Sequence, residues 1–166
     1  LIPREDEDVS LGVLDILRNE GVDVELSAEC MAVEKRDGRI AVRLDCAGGS
    51  REVLGSHLLL AVGRAPNTAD LGLAQAGVQT DARGYIEVDD ELRTSAADIW
   101  AIGDCNGRGA FTHTSYNDYE IVAGNLLDGE RRSVKDRITA YGLFIDPPLG
   151  RAGLTEAEIR KSGRKA

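Results

Sequence analysis

Apolar positions in the opening stretch of the chain recur at helical spacing and then switch to a period of two. Val9, Val13, Ile16 and Leu17 fall on one face of a helix predicted over residues 5–20. Its first turn carries the acidic run EDED, where the helix dipole favours negative charge, and Gly21 follows as the stop. Alternation then marks VDVEL (22–26), CMAVEKR (30–36), IAVRLDC (40–46) and SREVLGSHLLLAV (50–62). The dipeptides Asp37-Gly38 and Gly48-Gly49 separate the last three, which predicts a three-stranded antiparallel meander. A further strand is predicted at 57–62, where LLLAV (58–62) is apolar throughout, the pattern of a strand buried on both faces of a parallel sheet.

Residues 63–84 are loop-rich, with one helical turn near 70–76. IEVDDELRTSAADIWAIGD (86–104) carries two strand-like pieces, the second running from Ile99 to Gly103. Tyr116, Tyr119, Val122, Ala123 and Leu126 share a face, so a helix is expected over 114–127, opened by Thr112 or Thr114 as cap and ending before Gly129. A strand is predicted at 140–145, stopped by Asp146-Pro147-Pro148. Thr155 and Glu158 then form a capping box for a helix at 156–162. No internal repeat is present. The elements read as α/β, a partial Rossmann-like arrangement in which a parallel sheet is combined with the antiparallel meander.

The chain has 166 residues, 42% hydrophobic, and a formal net charge of −9. That balance argues against a nucleic acid or an anionic membrane as partner, because phosphates are bound mainly by clustered Lys and Arg. The basic run RKSGRKA (160–166) reads as a solvated tail. No apolar run nears the roughly 20 residues needed to span a bilayer, and a soluble, cytoplasmic protein is expected. Cysteines at 30, 46 and 105 are odd in number and form no C-x-x-C, so neither a disulfide framework nor a zinc site is indicated.

Two segments carry the chemistry: LLLAVGRAPNT (58–68) and the run Ile99 to Asp104. Each is an apolar strand ending in glycine, as expected where strand carboxyl ends meet a cofactor. Together with RTSAADIWAIGDC (93–105), AFTH (110–113) and FIDPPLGRAGLTEAE (144–158), they make the sequence resemble the FAD-dependent pyridine nucleotide-disulfide oxidoreductases. This is the family of dihydrolipoamide dehydrogenase, glutathione reductase and mercuric reductase.

The resemblance implies a domain plan. Residues 1–62 match the second half of an NAD(P) domain, 63–135 the returning piece of an FAD domain, and 136–166 the start of the interface domain that makes a homodimer. It further implies that the glycine-rich dinucleotide turns and the redox cysteine pair lie upstream of Leu1, and the acid-base His and Glu beyond Ala166. The chain is therefore expected to be an internal fragment, inactive by itself.

Asp104 matches the carboxylate that accepts from the flavin's ribityl hydroxyl, a role suited to an ionised acceptor, and Gly103 permits close approach. Ala110, Phe111, Thr112 and His113 match the segment against the isoalloxazine, at the start of a helix whose positive end favours the anionic reduced flavin. Gly63 matches a glycine whose backbone meets the nicotinamide dinucleotide, and Cys30 a residue near the adenine. Arg64 is open between an interdomain and a cofactor contact. His113 is not expected to transfer protons, His57 reads as structural, and Cys105 as inert packing.

The implied function is hydride transfer from NADH or NADPH through FAD to a small-molecule or disulfide acceptor. Two alternatives stand beside it: a flavin-dependent NADH oxidase or ferredoxin-reductase type, and a non-catalytic scaffold fragment.

Overall fold

Asp37 and Gly38 both adopt positive φ, +49° and +80°, the geometry that closes a two-residue hairpin with the twist of its strands. In the computed structural model, which describes residues 1–46 and 49–165, this turn joins β1 (Glu29–Arg36) to β2 (Arg39–Cys46). β3 (Gly49–Gly55) completes the predicted antiparallel meander in the order β1-β2-β3. Val33, Val42 and Val53 are directly opposed across the three strands, and Ala41 is fully buried. Gly48, half of the second predicted turn, lies outside the described residues.

The chain divides into two compact units, residues 1–62 with 140–166, and residues 63–139. In the first, helix α1 (Glu7–Asn19) buries Val13 and Leu14. The hairpin β4 (Ala140–Leu143) and β5 (Leu149–Ala152) pairs Tyr141 with Arg151. The predicted strand at 140–145 is thus shorter than its sequence pattern, because the chain turns at Phe144 to bring a second strand alongside. Helix α3 (Glu156–Lys161) opens with the predicted Thr155–Glu158 capping box. Asp6, at the cap position of α1, spends its carboxylate on α3 instead, accepting from the Glu156 and Ala157 amides at 2.8 and 3.1 Å. Glu5 accepts the Tyr141 hydroxyl and lies 3.4 Å from the Arg151 guanidinium. Burial and this carboxylate push the Tyr141 hydroxyl above its ordinary pKa.

The run at 57–62, read as a strand buried in a parallel sheet, and the alternating run at 22–26 enter no ladder: no strand among the described residues pairs with either. Leu59, Leu60 and Val62 are 87%, 68% and 87% exposed. An apolar run becomes a buried strand only where neighbours satisfy its backbone groups and cover both faces.

The second unit is built on a small core of Val78, Ile86 and Ala101, with Leu73, Val88, Ala96 and Cys105 packed against it. The helical turn predicted near 70–76 is present, its Val78 amide bonding to the Leu73 carbonyl at 2.9 Å. Ile99–Gly103 is not a parallel strand either. Trp100 forms an antiparallel bridge to Arg93, and the amides of Thr94 and Ala101 bond to the Ile99 and Leu92 carbonyls at 2.9 and 3.2 Å. A hairpin partner a few residues away is reached at small loop-closure cost. Helix α2 (Thr112–Leu127) closes the unit. Among the described residues, no helix is long and apolar enough to cross a membrane.

Candidate functional site

The peptide leaving Ala101 turns at Gly103, with φ +75°, into a 3₁₀ turn over Gly103–Asn106. Glycine is required there twice over. The positive φ penalises a side chain, and a Cβ would sit 2.8 Å from the Ser115 hydroxyl on α2. The turn is fixed from below by Asp118 of α2, whose carboxylate is 1% exposed. It accepts the Gly103 amide at 2.8 Å and the Asn106 side-chain amide at 2.9 Å, and it pairs with Arg137. Arg137 also donates to the Asn117 carbonyl oxygen at 2.7 Å. Asn106 ties the same turn back to the Ala101 carbonyl at 3.0 Å and receives the Arg108 amide at 2.8 Å.

On this support Asp104 points its carboxylate outward, half exposed, into an open cleft of about 590 Å³. Arg64 reaches it from the loop after residue 62. One guanidinium nitrogen, Nη1, donates to the Asp104 carboxylate and to the Ala110 carbonyl, each at 3.2 Å. Ile102, Thr112 and Ser115 line the cleft with them, and Tyr116 and Tyr119 complete the wall. The two rings lie 5.7 Å apart between centroids.

Helix α2 begins at Thr112 with Phe111 at the cap position. No side chain caps it, and its first turn carries no acidic residue. The expected cap by Thr112 or Thr114 is therefore corrected. Thr112 is already the first helical residue, and Thr114 is buried with its methyl packed so closely on Gly109 that a Cβ there would collide with it. The positive end of the helix dipole consequently stays uncompensated beside the cleft.

On α2, Tyr116, Tyr119 and Leu126 of the apolar face are exposed, while Thr114, Asp118, Ile121 and Gly124 are buried. The buried stripe includes an acid because the amides of the 3₁₀ turn need an acceptor.

Among the residues singled out from sequence, Asp104, Ala110 and Thr112 line one cleft and Gly103 lies beneath it. Phe111 and His113 stack on each other with centroids 5.4 Å apart and an interplanar angle of 16°, and are not among the residues lining it. Gly63 precedes Arg64 with φ +136°, a conformation side chains resist, and open space where a Cβ would be. Cys30 belongs to β1 in the other unit, and its side chain lies outside the described residues.

Sequence reasoning passed over Asp118, Ser115, Tyr116 and Tyr119 as site residues. Asp118 had a signal: an acid on a helix face opposite the aromatic stripe, with Arg137 downstream. Cys105 is held as a neutral thiol, since burial raises its pKa and the Asp118 and Asp104 charges add to the rise; its Sγ donates to the Ile102 carbonyl at 3.3 Å. Among the described residues no group of three or more His, Cys, Asp or Glu could hold a metal ion.

Comparison with known proteins bears on this arrangement. Residues 1–118 match the sequence profile of the pyridine nucleotide-disulphide oxidoreductases. The probable pyridine nucleotide-disulfide oxidoreductase RclA of Escherichia coli is 40% identical over 163 residues, 98% of this chain and 36% of its own length. Mercuric reductase of Streptomyces lividans is 37% identical over 164 residues, 98% of this chain and 34% of its own. The solved structure of a Cu(II) complex of the HOCl-induced flavoprotein disulfide reductase RclA from Escherichia coli superposes with a TM-score of 0.87 at 39% identity. It covers 98% of this chain and 37% of that one. The chain thus spans about a third of the length of these relatives. The likeness in structure extends to the α/β dinucleotide-binding class, of which this chain carries an incomplete set of elements.

Proposed function

The chain belongs to the pyridine nucleotide-disulphide oxidoreductase family, and from that premise we propose that its cleft beside α2 is the ribityl and pyrimidine end of a flavin site. The observation that carries the reading is the convergence of Asp104, Ala110 and Thr112 on one open cleft at the uncapped start of α2. The residues fit FAD on chemical grounds. A half-exposed carboxylate supplies an acceptor for sugar hydroxyls, Gly103 adds no side chain below it, and the positive helix end suits an anionic ring edge.

When bound, FAD supplies the hydride relay between a nicotinamide and an acceptor. The chain's own residues do the placing. Asp104 would accept from the ribityl chain, Ala110 and Thr112 would set the height of the ring edge, and Asp118 would hold the turn that carries Asp104. Phe111 and His113 stack on each other and do not line the cleft, so a place for them against the ring rests on the family resemblance. Gly63 would let its backbone approach NADH or NADPH, and Cys30 would contribute its backbone near the adenine.

We read residues 1–62 as part of the NAD(P) domain, 63–135 as part of the FAD domain and 136–166 as part of the interface domain of a cytoplasmic homodimer. The reaction is hydride transfer from NAD(P)H through FAD to a disulfide or similar small acceptor. The solved relative named a flavoprotein disulfide reductase supports that acceptor class. The test is flavin retention. Asp104→Ala in the full-length protein removes a charge-assisted bond worth about 1.5–3 kcal/mol and is expected to lose FAD on dialysis. A variant that stays fully yellow would sink the assignment.

A further inference from the structure

Arg64 and Asp104 are 40 residues apart, and the contact between them does not have the form of a simple surface ion pair. A single nitrogen, Nη1, is shared between the Asp104 carboxylate and the Ala110 carbonyl, at 3.2 Å to each. These acceptors stand on the two segments that flank the cleft floor. Asp104 is on the 3₁₀ turn, and Ala110 is on the strap that leads into α2. We propose that Arg64 is a positioning residue that locks the Asp104 carboxylate to the Ala110 strap, so that both meet a flavin as one rigid surface. The proposal rests on the flavin reading of the cleft.

Three observations support it. First, the 3₁₀ turn is anchored through Gly103, Cys105 and Asn106, by Asp118, by the Ala101 carbonyl and by the Ile86 amide, and none of these bonds holds the Asp104 carboxylate. Among the described residues, Arg64 is the one side chain that bonds to the outward carboxylate of Asp104. Second, the strap that leads into α2 is tied on one side by Arg108, which donates to the Asp90 carboxylate and the Val88 carbonyl at 3.1 and 2.8 Å. The bond from Arg64 to the Ala110 carbonyl restrains it from the cleft side.

Third, both partners are largely exposed in the open cleft, 68% and 59% of their side chains. There a pair contributes little because water screens it. A bound ligand that covers the cleft removes that water and strengthens the same geometry. The clamp therefore acts mainly in the bound state, where it would slow release of the ligand that covers it. A carboxylate accepts several bonds, so holding one oxygen leaves the other for a ligand hydroxyl.

The geometry also predicts how substitutions behave. Methionine at position 64 keeps the stem and deletes the donor. Lysine keeps the charge, but an ammonium lacks the planar fork and holds one acceptor better than two. Because the side chain is exposed, neither change disturbs a core, and equal thermal melting of the flavin-free proteins serves as the folding control.

The experiment measures the rate of FAD release from the full-length protein, with the visible flavin spectrum as second readout, for Arg64→Met, Arg64→Lys, Asp104→Ala and the double variant Arg64→Met/Asp104→Ala. Arg64→Met is expected to speed release about tenfold, Arg64→Lys by less, and Asp104→Ala by at least as much as Arg64→Met. The double variant is expected to match Asp104→Ala alone, since Arg64 acts through that carboxylate. Two results would overturn the proposal. One is release from Arg64→Met at the wild-type rate while Asp104→Ala is impaired. The other is multiplication of the two effects in the double variant, which would make Arg64 an independent flavin contact. If Asp104→Ala itself releases FAD normally, the flavin reading of the cleft fails and the clamp with it.

Discussion

Leu58–Val62 and Ile99–Gly103 are near twins in sequence, five residues long or so, apolar and bounded by glycine, yet they come to opposite ends. The first is open to solvent, with Leu59 and Val62 each 87% exposed. The second is stitched into its unit. Ala101 is 5% exposed, Trp100 bridges Arg93, and the Gly103 amide rests on Asp118. The difference lies in the supply of partners. Residues 92–101 fold back on themselves, and α2 brings Asp118 to the end of the run, whereas no strand among the described residues meets residues 58–62. Apolar character makes burial favourable in both, but only a partner for the backbone makes it possible.

The comparison breaks most sharply at Asp118. Asp118→Ala would leave Arg137 without its buried partner, orphan the Gly103 amide and leave the Asn106 side-chain amide with the Ala101 carbonyl alone. A loss of about 3–5 kcal/mol is expected, read as a fall in the denaturant midpoint. A midpoint within error of wild type would show that the second run does not depend on α2.

Packing supplies the next contrast. Leu92 is fully buried behind Ala101, so Leu92→Ala is expected to cost about 2–5 kcal/mol. Leu59→Ala, at an 87% exposed site, should stay within about 0.5 kcal/mol in the same 166-residue chain. Equal costs at the two positions would mean that residues 58–62 are covered in solution, by another chain or by rearrangement.

The smallest effect is chemical rather than energetic. Cys105 packs against the core behind the second run, and burial raises its pKa. A raised thiol pKa delays formation of the reactive thiolate. Alkylation followed by peptide mapping should therefore begin at a pH above that of an ordinary thiol, whose pKa is about 8.5. Reaction at neutral pH as fast as a free cysteine would contradict the packed environment of this turn.

Much of the local structure was legible in the chain because the signals act over a few residues. The Asp37-Gly38 turn, the meander around it, the Thr155–Glu158 box and the span of α2 all follow from turn chemistry, capping and periodicity. The residues quoted for the family, from VGRAPNT through IWAIGDC to AFTH, likewise lie in continuous stretches, and the family itself follows from them.

The misreadings have a common origin. Apolar periodicity on α2 marks the face of Tyr116, Tyr119 and Leu126, yet the helix buries Thr114, Asp118, Ile121 and Gly124, and Asp118 there serves a polar turn. Residues 57–62 and 99–103 carry the same strand pattern, and the pattern holds no information on who pairs with whom.

By itself the amino-acid sequence determined the local elements, the family, and Asp104 as the carboxylate of interest, since each is encoded within a window of about a dozen residues or less. Tertiary structure alone decided that Asp118 carries the turn from 15 residues away and that Arg64 meets Asp104 across 40 and Ala110 across 46. It alone tied one apolar run into its unit through Ala101 and Gly103 and left the other bare. Contacts at such separations are chosen by which closed arrangement satisfies the most buried polar groups at once, and no short stretch of residues carries that sum.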